Sequence, residues 1–193
     1  MAAEIERHPF EPFLPEGAKV LMLGSFPPQP KRWSMEFYYP NFINDFWRIV
    51  GLIFFEDKDK FVDQTARKFK IQEIKEFCSG KGIAMYDTAT VVRRLKDNAS
   101  DKFLEVVEPT DIPALLRKIP ECVAVVVTGE KASQTLCAAF GTEAPAVGNY
   151  SEFGFEGRPM RLYRMPSTSR AYPLPLNKKA DAYRRLFSCL GIV

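Results

Sequence analysis

Apolar positions along the chain alternate between short continuous runs and stretches of helical spacing. The run Val20 to Leu23, inside 18-AKVLMLGSFPP-28, predicts a buried strand that breaks into a loop at Gly24, Pro27 and Pro28. From Asn44 to Phe54 the spacing is helical, with Phe46, Trp47, Ile49, Val50 and Ile53 on one side. A charged helical region is predicted over 59–77, ending near Gly80. A second strand follows at 82-GIAMYD-87, then a polar stretch, 93-RRLKDNASD-101. The segment 110-TDIPALLRKI-119 predicts a short helix, with Thr110 or Asp111 as cap and Pro113 in its first turn. The β-branched run 122-CVAVVVTG-129 is of the kind buried on both faces of a parallel sheet. Lys131 to Phe140 predicts a helix closed by Gly141, followed by a loop punctuated by Gly and Pro. The strand 160-MRLYRMP-166 then runs into the loop 166-PSTSRAYPLP-175. A last helix, 176–190, turns Ala182, Tyr183, Leu186 and Phe187 inward.

Strands alternating with helices predict a three-layer α/β/α sandwich with a mostly parallel central sheet of about four strands. The 193 residues suit one domain over 1–193, with residues 1–17 as an N-terminal arm. Ligands of such sheets bind beyond the carboxyl ends of the strands. The loops beginning at Gly24, Asp87 and Pro166 are therefore expected to converge on one crevice.

Composition narrows the chemistry. No apolar run approaches the ~20 residues of a bilayer span, and the opening MAAEIERHPFEPFLPEG does not read as a secretory or transit signal. A cytoplasmic protein of bacterial type is expected, with no membrane partner. The cysteines, Cys78, Cys122, Cys137 and Cys189, form no C-x-x-C pair, so buried reduced thiols are expected rather than a zinc or iron–sulfur site. There is one histidine, His8, in the N-terminal arm, which leaves a Ser-His-Asp or Cys-His site little to work with. Chemistry must then rest on amides, hydroxyls, carboxylates, backbone dipoles or the substrate itself. A net charge of +3 admits a polyanionic partner.

Three stretches carry candidate chemistry, each beside a plainer explanation. The turn 24-GSFPP-28 can present backbone N–H groups or simply connect a strand rigidly; it lacks the glycine pattern of a dinucleotide or phosphate loop. In 34-SMEFYYPNFINDFWRI-49, Phe46 and Trp47 read as core, whereas Tyr38, Tyr39 and Phe42 precede the helix and can wall a pocket. Asn41 and Asn44 can cap the helix, Asn41 being a good N-cap candidate, or can read a base edge or hold a water. In 166-PSTSRAY-172 the hydroxyls and backbone N–H groups suit phosphate oxygens, or form a solvated turn.

Taken together, these stretches resemble the uracil-DNA glycosylase superfamily, and within it the mismatch-specific side and most closely the hypoxanthine-DNA glycosylase branch. The first motif there is a strand, a G-S-F-P turn, Y-Y and N-x-F-W opening a helix. This chain has 24-GSFP-27, 38-YY-39 and 44-NDFW-47 in that order. The second motif resembles 165-MPSTSRA-171, and 82-GIAMYD-87, 98-NASD-101 and 126-VVTGEKA-132 are similar to the same branch. The resemblance runs from about residue 8 to the C-terminus and implies cleavage of the N-glycosidic bond of a base flipped out of DNA. It also implies no metal, no cofactor and a monomer acting on DNA that contains deaminated bases.

The resemblance assigns the central role to Asn44, contacting the base or a water. It implies a base pocket of Gly24, Ser25, Phe26, Tyr38, Tyr39 and Asn41, with Phe26, Tyr38 or Tyr39 stacking on the flipped base. Pro166, Ser167, Thr168, Ser169 and Arg170 would grip the DNA, Arg170 filling the gap left in the duplex. The chain departs from the pattern at Phe26, where many members carry Asp or Asn before the proline, and at 40-PNFI-43, where relatives commonly have G-H-P-R. It also lacks the second-motif histidine of the fastest uracil enzymes, and Arg170 stands one position early. Three classes are therefore weighed: a glycosylase for hypoxanthine, xanthine or uracil, a non-catalytic DNA or lesion binder on the same fold, and an unrelated α/β enzyme acting on a free base or nucleotide.

Overall fold

The structure, a computed structural model, describes residues 5–96 and 101–193. In chain order its strands are β1 (Ile5–Arg7), β2 (Val20–Gly24), β3 (Val62–Asp63), β4 (Lys68–Phe69), β5 (Ile83–Asp87), β6 (Ala89–Arg94), β7 (Leu104–Pro109), β8 (Ala124–Thr128), β9 (Asn149–Phe155) and β10 (Arg158–Met165). The helices are α1 (Phe46–Phe55), α2 (Ile71–Lys81), α3 (Ile112–Lys118), α4 (Glu130–Phe140) and α5 (Leu176–Cys189).

The central sheet has five strands in the order β5-β2-β8-β10-β9. The first four are parallel, and β9 adds an antiparallel edge through a hairpin with β10. Every residue of β2, β5 and β8 is buried, which is why these strands read as unbroken apolar runs. Burial of each Val, Leu, Ile or Met side chain in them stabilises the fold by about 1.5–3 kcal/mol. Phe54 of α1 packs on Phe77 of α2 and Phe187 of α5, so these three helices share one face. The right-handed rule for parallel crossovers assigns α3 and α4 to the other, in a three-layer α/β/α fold. The parallel register aligns the strand ends: Gly24 pairs with Asp87, and Met165 with Thr128. The chain leaves β2 toward β5 on one side and β8 toward β10 on the other, which opens a crevice between the ends of β2 and β8.

A second sheet, β1-β6-β7, is antiparallel and lies outside the sequence expectation. It ties residues 5–7 of the N-terminal arm to β6. Phe26, Ala89, Val92 and Leu104 form its small core.

Four other expectations are corrected. The region 59–77 is not one helix: it holds the β3–β4 hairpin, and α2 begins only at Ile71. Asp57 and Asp63 accept backbone N–H groups from Asp59 and Ala66, at 2.8 Å each, and this turn chemistry competes with helix. The helix is closed by Gly82 with φ of 66°, not by Gly80. Helix α1 starts at Phe46 after Asp45, so Asn41 is not its N-cap; the Asn41 Oδ1 instead accepts the Ile43 N–H at 3.2 Å. Cys78, Cys122 and Cys137 are buried, but Cys189 is exposed. Residues 98–100 of the NASD motif fall outside the described residues.

Candidate active site

A cleft of about 1120 Å³ opens beyond the carboxyl ends of β2, β5, β8 and β10. It is lined by all three of the segments expected to converge, although the one beginning at Asp87 holds strand β6 and is not an open loop. Every residue of the expected base pocket and DNA grip borders it, as does Asn44. Phe42 does not line it: its ring packs on Phe69 at 5.6 Å and lies 4.8 Å from the Arg48 guanidinium.

The turn after β2 forms the first wall. A Cβ on Gly24 would lie 2.5 Å from the Asp87 Oδ1, so only glycine leaves the carboxylate its place. Ser25 Oγ donates to Asp101 Oδ2 at 2.7 Å. Burial raises the Asp101 carboxyl above its ordinary range, against the lowering effect of that hydrogen bond. Phe26 is 7% exposed and packs mainly under the small sheet. The Trp33 indole N–H donates to the Pro28 carbonyl at 2.6 Å and pins the end of the turn.

The aromatic stretch builds the second wall. Tyr38 is buried, donates its hydroxyl to the Glu11 carbonyl at 2.7 Å, and receives the Trp47 indole N–H on its own carbonyl at 3.0 Å. Burial pushes the Tyr38 and Tyr39 phenols well above their ordinary values. Tyr39 has a φ of 54°, which a non-glycine residue adopts only where its surroundings enforce it. Its hydroxyl shares a 2.8 Å hydrogen bond with Thr128 Oγ1 across the crevice, and its ring stacks on Phe46 at 3.9 Å.

Asn44 stands where this wall turns into α1. Its Oδ1 accepts the Phe46 N–H at 2.9 Å, so it covers one of the free N–H groups at the helix start. That bond engages the oxygen end of the amide, whose other end, Nδ2, is a donor. Arg48 donates to the carbonyls of Phe42, at 2.7 Å, and Asn44, at 3.2 Å, and so holds the turn that carries Asn44. Burial lowers the Arg48 guanidinium pKa, and nearby Arg170 adds to the effect.

The next residue, Asp45, joins the two motifs. Its N–H donates to the Thr168 carbonyl at 3.0 Å, and its carboxylate receives Lys179 Nζ at 3.0 Å and Arg170 Nε at 3.1 Å. Lys179 also donates to the Ser169 carbonyl at 2.8 Å. The Tyr183 hydroxyl holds the Pro166 carbonyl at 2.8 Å. Within the loop, Ser167 and Ser169 accept the N–H groups of Ser169 and Ala171, while the Thr168 side chain is buried. Ser167, Ser169 and half-exposed Arg170 are thus the side chains that face outward.

Sequence reasoning missed His8, Asp87, Arg94, Asp101 and Lys179. The His8 Nε2 lies 2.9 Å from the Asp87 Oδ2. Arg94 makes a two-bond pair with Glu6, at 2.8 and 3.0 Å, and donates to the Pro27 carbonyl. The signal for Asp87 was its position as the last residue of a predicted strand; His8 and Lys179 gave none. Six Lys or Arg side chains line the cleft against three Asp or Glu, which suits a polyanion. Among the described residues no group of three or more His, Cys, Asp or Glu side chains could hold a metal ion.

The fold has a solved counterpart. It is similar to the solution NMR structure of a "putative Uracil DNA glycosylase" from Methanosarcina acetivorans. The TM-score is 0.63 and the identity 21%, over 97% of this chain and 99% of that one. No protein-family model matches the chain, and no curated protein matches it. At that identity the likeness establishes the fold, and the chemistry is read from the cleft. Tyr39, the 24–28 turn, Asn44 and two carboxylates, Asp87 and Asp101, all border it.

Proposed function

We propose that the protein is a monofunctional DNA glycosylase that hydrolyses the N-glycosidic bond of a flipped, deaminated base: hypoxanthine, xanthine or uracil. The observation that carries this reading is the joining of the two motif loops by Asp45, which brings Asn44 and the 166–171 segment to one cleft. The fold shared with the glycosylase-named archaeal structure supports it.

In this reaction the bond between C1′ and the base nitrogen breaks and its electron pair leaves with the base. The oxygen of a water bonds to C1′, and the water's proton ends on the departing base. Backbone N–H groups of Ser25 and Phe26 and the Nδ2 of Asn44 are donors aimed at the developing negative charge. Tyr39 supplies an aromatic face for the base, Ser167 and Ser169 take the flanking phosphates, and Arg170 occupies the emptied stack. The protein acts as an intracellular monomer and one domain over 1–193, with residues 1–17 as its arm.

A lesion binder without bond cleavage is the second reading. The Asn44 oxygen occupied by the Phe46 N–H and the phenyl ring at position 26 favour it, because neither group is left to activate a water. Duplexes carrying each deaminated base separate the two. Release of free base with an alkali-labile site supports the enzyme, and lesion-preferring binding with intact glycosidic bonds supports the binder.

A further inference from the structure

His8 is the one histidine of the chain, and its side chain is 2% exposed. The pairing of β1 with β6 carries it inward: the His8 N–H donates to the Thr90 carbonyl at 2.8 Å, one step beyond the pair Arg7 and Val91. Its imidazole lies among aromatic rings, 4.6 Å from Tyr86 and 5.3 Å from Phe26. The Nδ1 faces the Phe10 backbone, 3.1 Å from the N–H and 2.9 Å from the carbonyl oxygen. Nδ1 therefore finds a partner with or without a proton, and Nε2 is free to donate to the Asp87 Oδ2, 2.9 Å away. The other carboxylate oxygen lies against Gly24, in a side chain 10% exposed that borders the cleft.

We infer that His8 is a positioning residue: it holds Asp87 as a fixed hydrogen-bond acceptor in the cleft, and thereby makes the N-terminal arm part of base selection. The inference rests on the proposed glycosylase reading. An ionised carboxylate with one oxygen engaged by the imidazole offers an acceptor at the other. A base whose ring nitrogen bears a proton beside a carbonyl, as in hypoxanthine, xanthine and uracil, donates to it. Adenine and cytosine carry a lone pair at that ring nitrogen and meet the acceptor with an acceptor. Selection of this kind acts on binding, so its loss raises KM more than it lowers kcat.

Two substitutions separate positioning from packing. His8→Phe keeps an aromatic ring among Tyr86 and Phe26 but has no donor; His8→Gln gives up the ring and keeps an amide N–H near the place of Nε2. On whichever duplex the wild type cleaves, His8→Phe is expected to raise KM roughly tenfold, while His8→Gln stays within about threefold of wild type. The reverse order, with Phe tolerated and Gln impaired, is what packing alone produces and overturns the inference. In an Asp87→Ala background, His8→Phe should add no further loss; losses that multiply also overturn it.

Absence of excision by wild type on every deaminated base defeats the glycosylase reading, and the positioning claim is then decided by 15N NMR. The single imidazole gives one pair of ring-nitrogen resonances, which also serves if His8→Phe fails to fold. Asp87→Ala is expected to shift the Nε2 resonance and leave the Nδ1 resonance nearly in place; an unmoved Nε2 refutes the positioning claim.

Discussion

Substituting Lys179 by methionine tests how the two motif loops are held together. The ammonium is 1% exposed and bonds to the Asp45 carboxylate and the Ser169 carbonyl. Methionine fills most of the volume but leaves Asp45, itself 6% exposed, with Arg170 as its cationic partner. Removing one partner of a buried pair costs about 3–5 kcal/mol, because the other charge stays in a poorly solvating place. The Arg170 side chain is 50% exposed, so its compensation is partial, and the lower end of that range, about 3 kcal/mol, is expected. For a chain of this size that lowers Tm by roughly 6–12 °C. Urea unfolding gives the same quantity as a shift in midpoint at unchanged slope. The double substitution Asp45→Leu with Lys179→Met removes both buried charges, and most of the stability should return. A single-variant loss under about 1 kcal/mol, or a double variant as costly as the sum of both singles, refutes the claim that this pair joins the loops.

Other consequences are testable on the same protein. Gly24→Ala forces a Cβ to within 2.5 Å of the Asp87 Oδ1; the backbone or the carboxylate must move, at a cost of about 1–3 kcal/mol in urea unfolding, and any excision should fall with it. Asp101 has a folded pKa raised by burial, so the folded state binds the extra proton and stability falls as pH rises from the ordinary value of 3.8 through the folded one. Asp101→Asn removes this dependence, and its stability relative to wild type should increase between pH 4 and pH 7 in paired urea titrations. Loss of duplex affinity with added salt should be steep, with a log–log slope of about one for each phosphate neutralised.

The central strands were legible because β2, β5 and β8 are buried on both faces and leave no polar alternation to confuse the period. The edge strand β9 was not, since most of its residues are exposed and its apolar content is thin. The small sheet was missed for a related reason: β1 is three residues long, and β6 ends in two arginines. Asn44 and the 166–170 loop stood out through a resemblance between motifs, not through periodicity. His8 and Asp87 are 79 positions apart and meet only because one pairs through β1 to β6 while the other ends β5 opposite Gly24. Nor could composition say that the aromatic cluster would divide. Tyr39 reaches across the crevice to Thr128, whereas Phe42 turns away to Phe69 and Arg48.

The most direct test of the account is single-turnover excision from duplexes carrying hypoxanthine, xanthine or uracil, with wild type beside Asn44→Ala and Asn44→Asp. Loss of the hydrogen bond from the Phe46 N–H to Asn44 costs about 1 kcal/mol, so the Ala variant should remain folded. The Asp variant keeps an oxygen for the Phe46 N–H and loses the Nδ2 donor. Wild type is predicted to release at least one of these bases and leave an alkali-labile site, with both variants reduced by roughly a hundredfold or more. No release by wild type at stoichiometric enzyme, while the duplex stays bound, contradicts the account, as does full activity in Asn44→Asp.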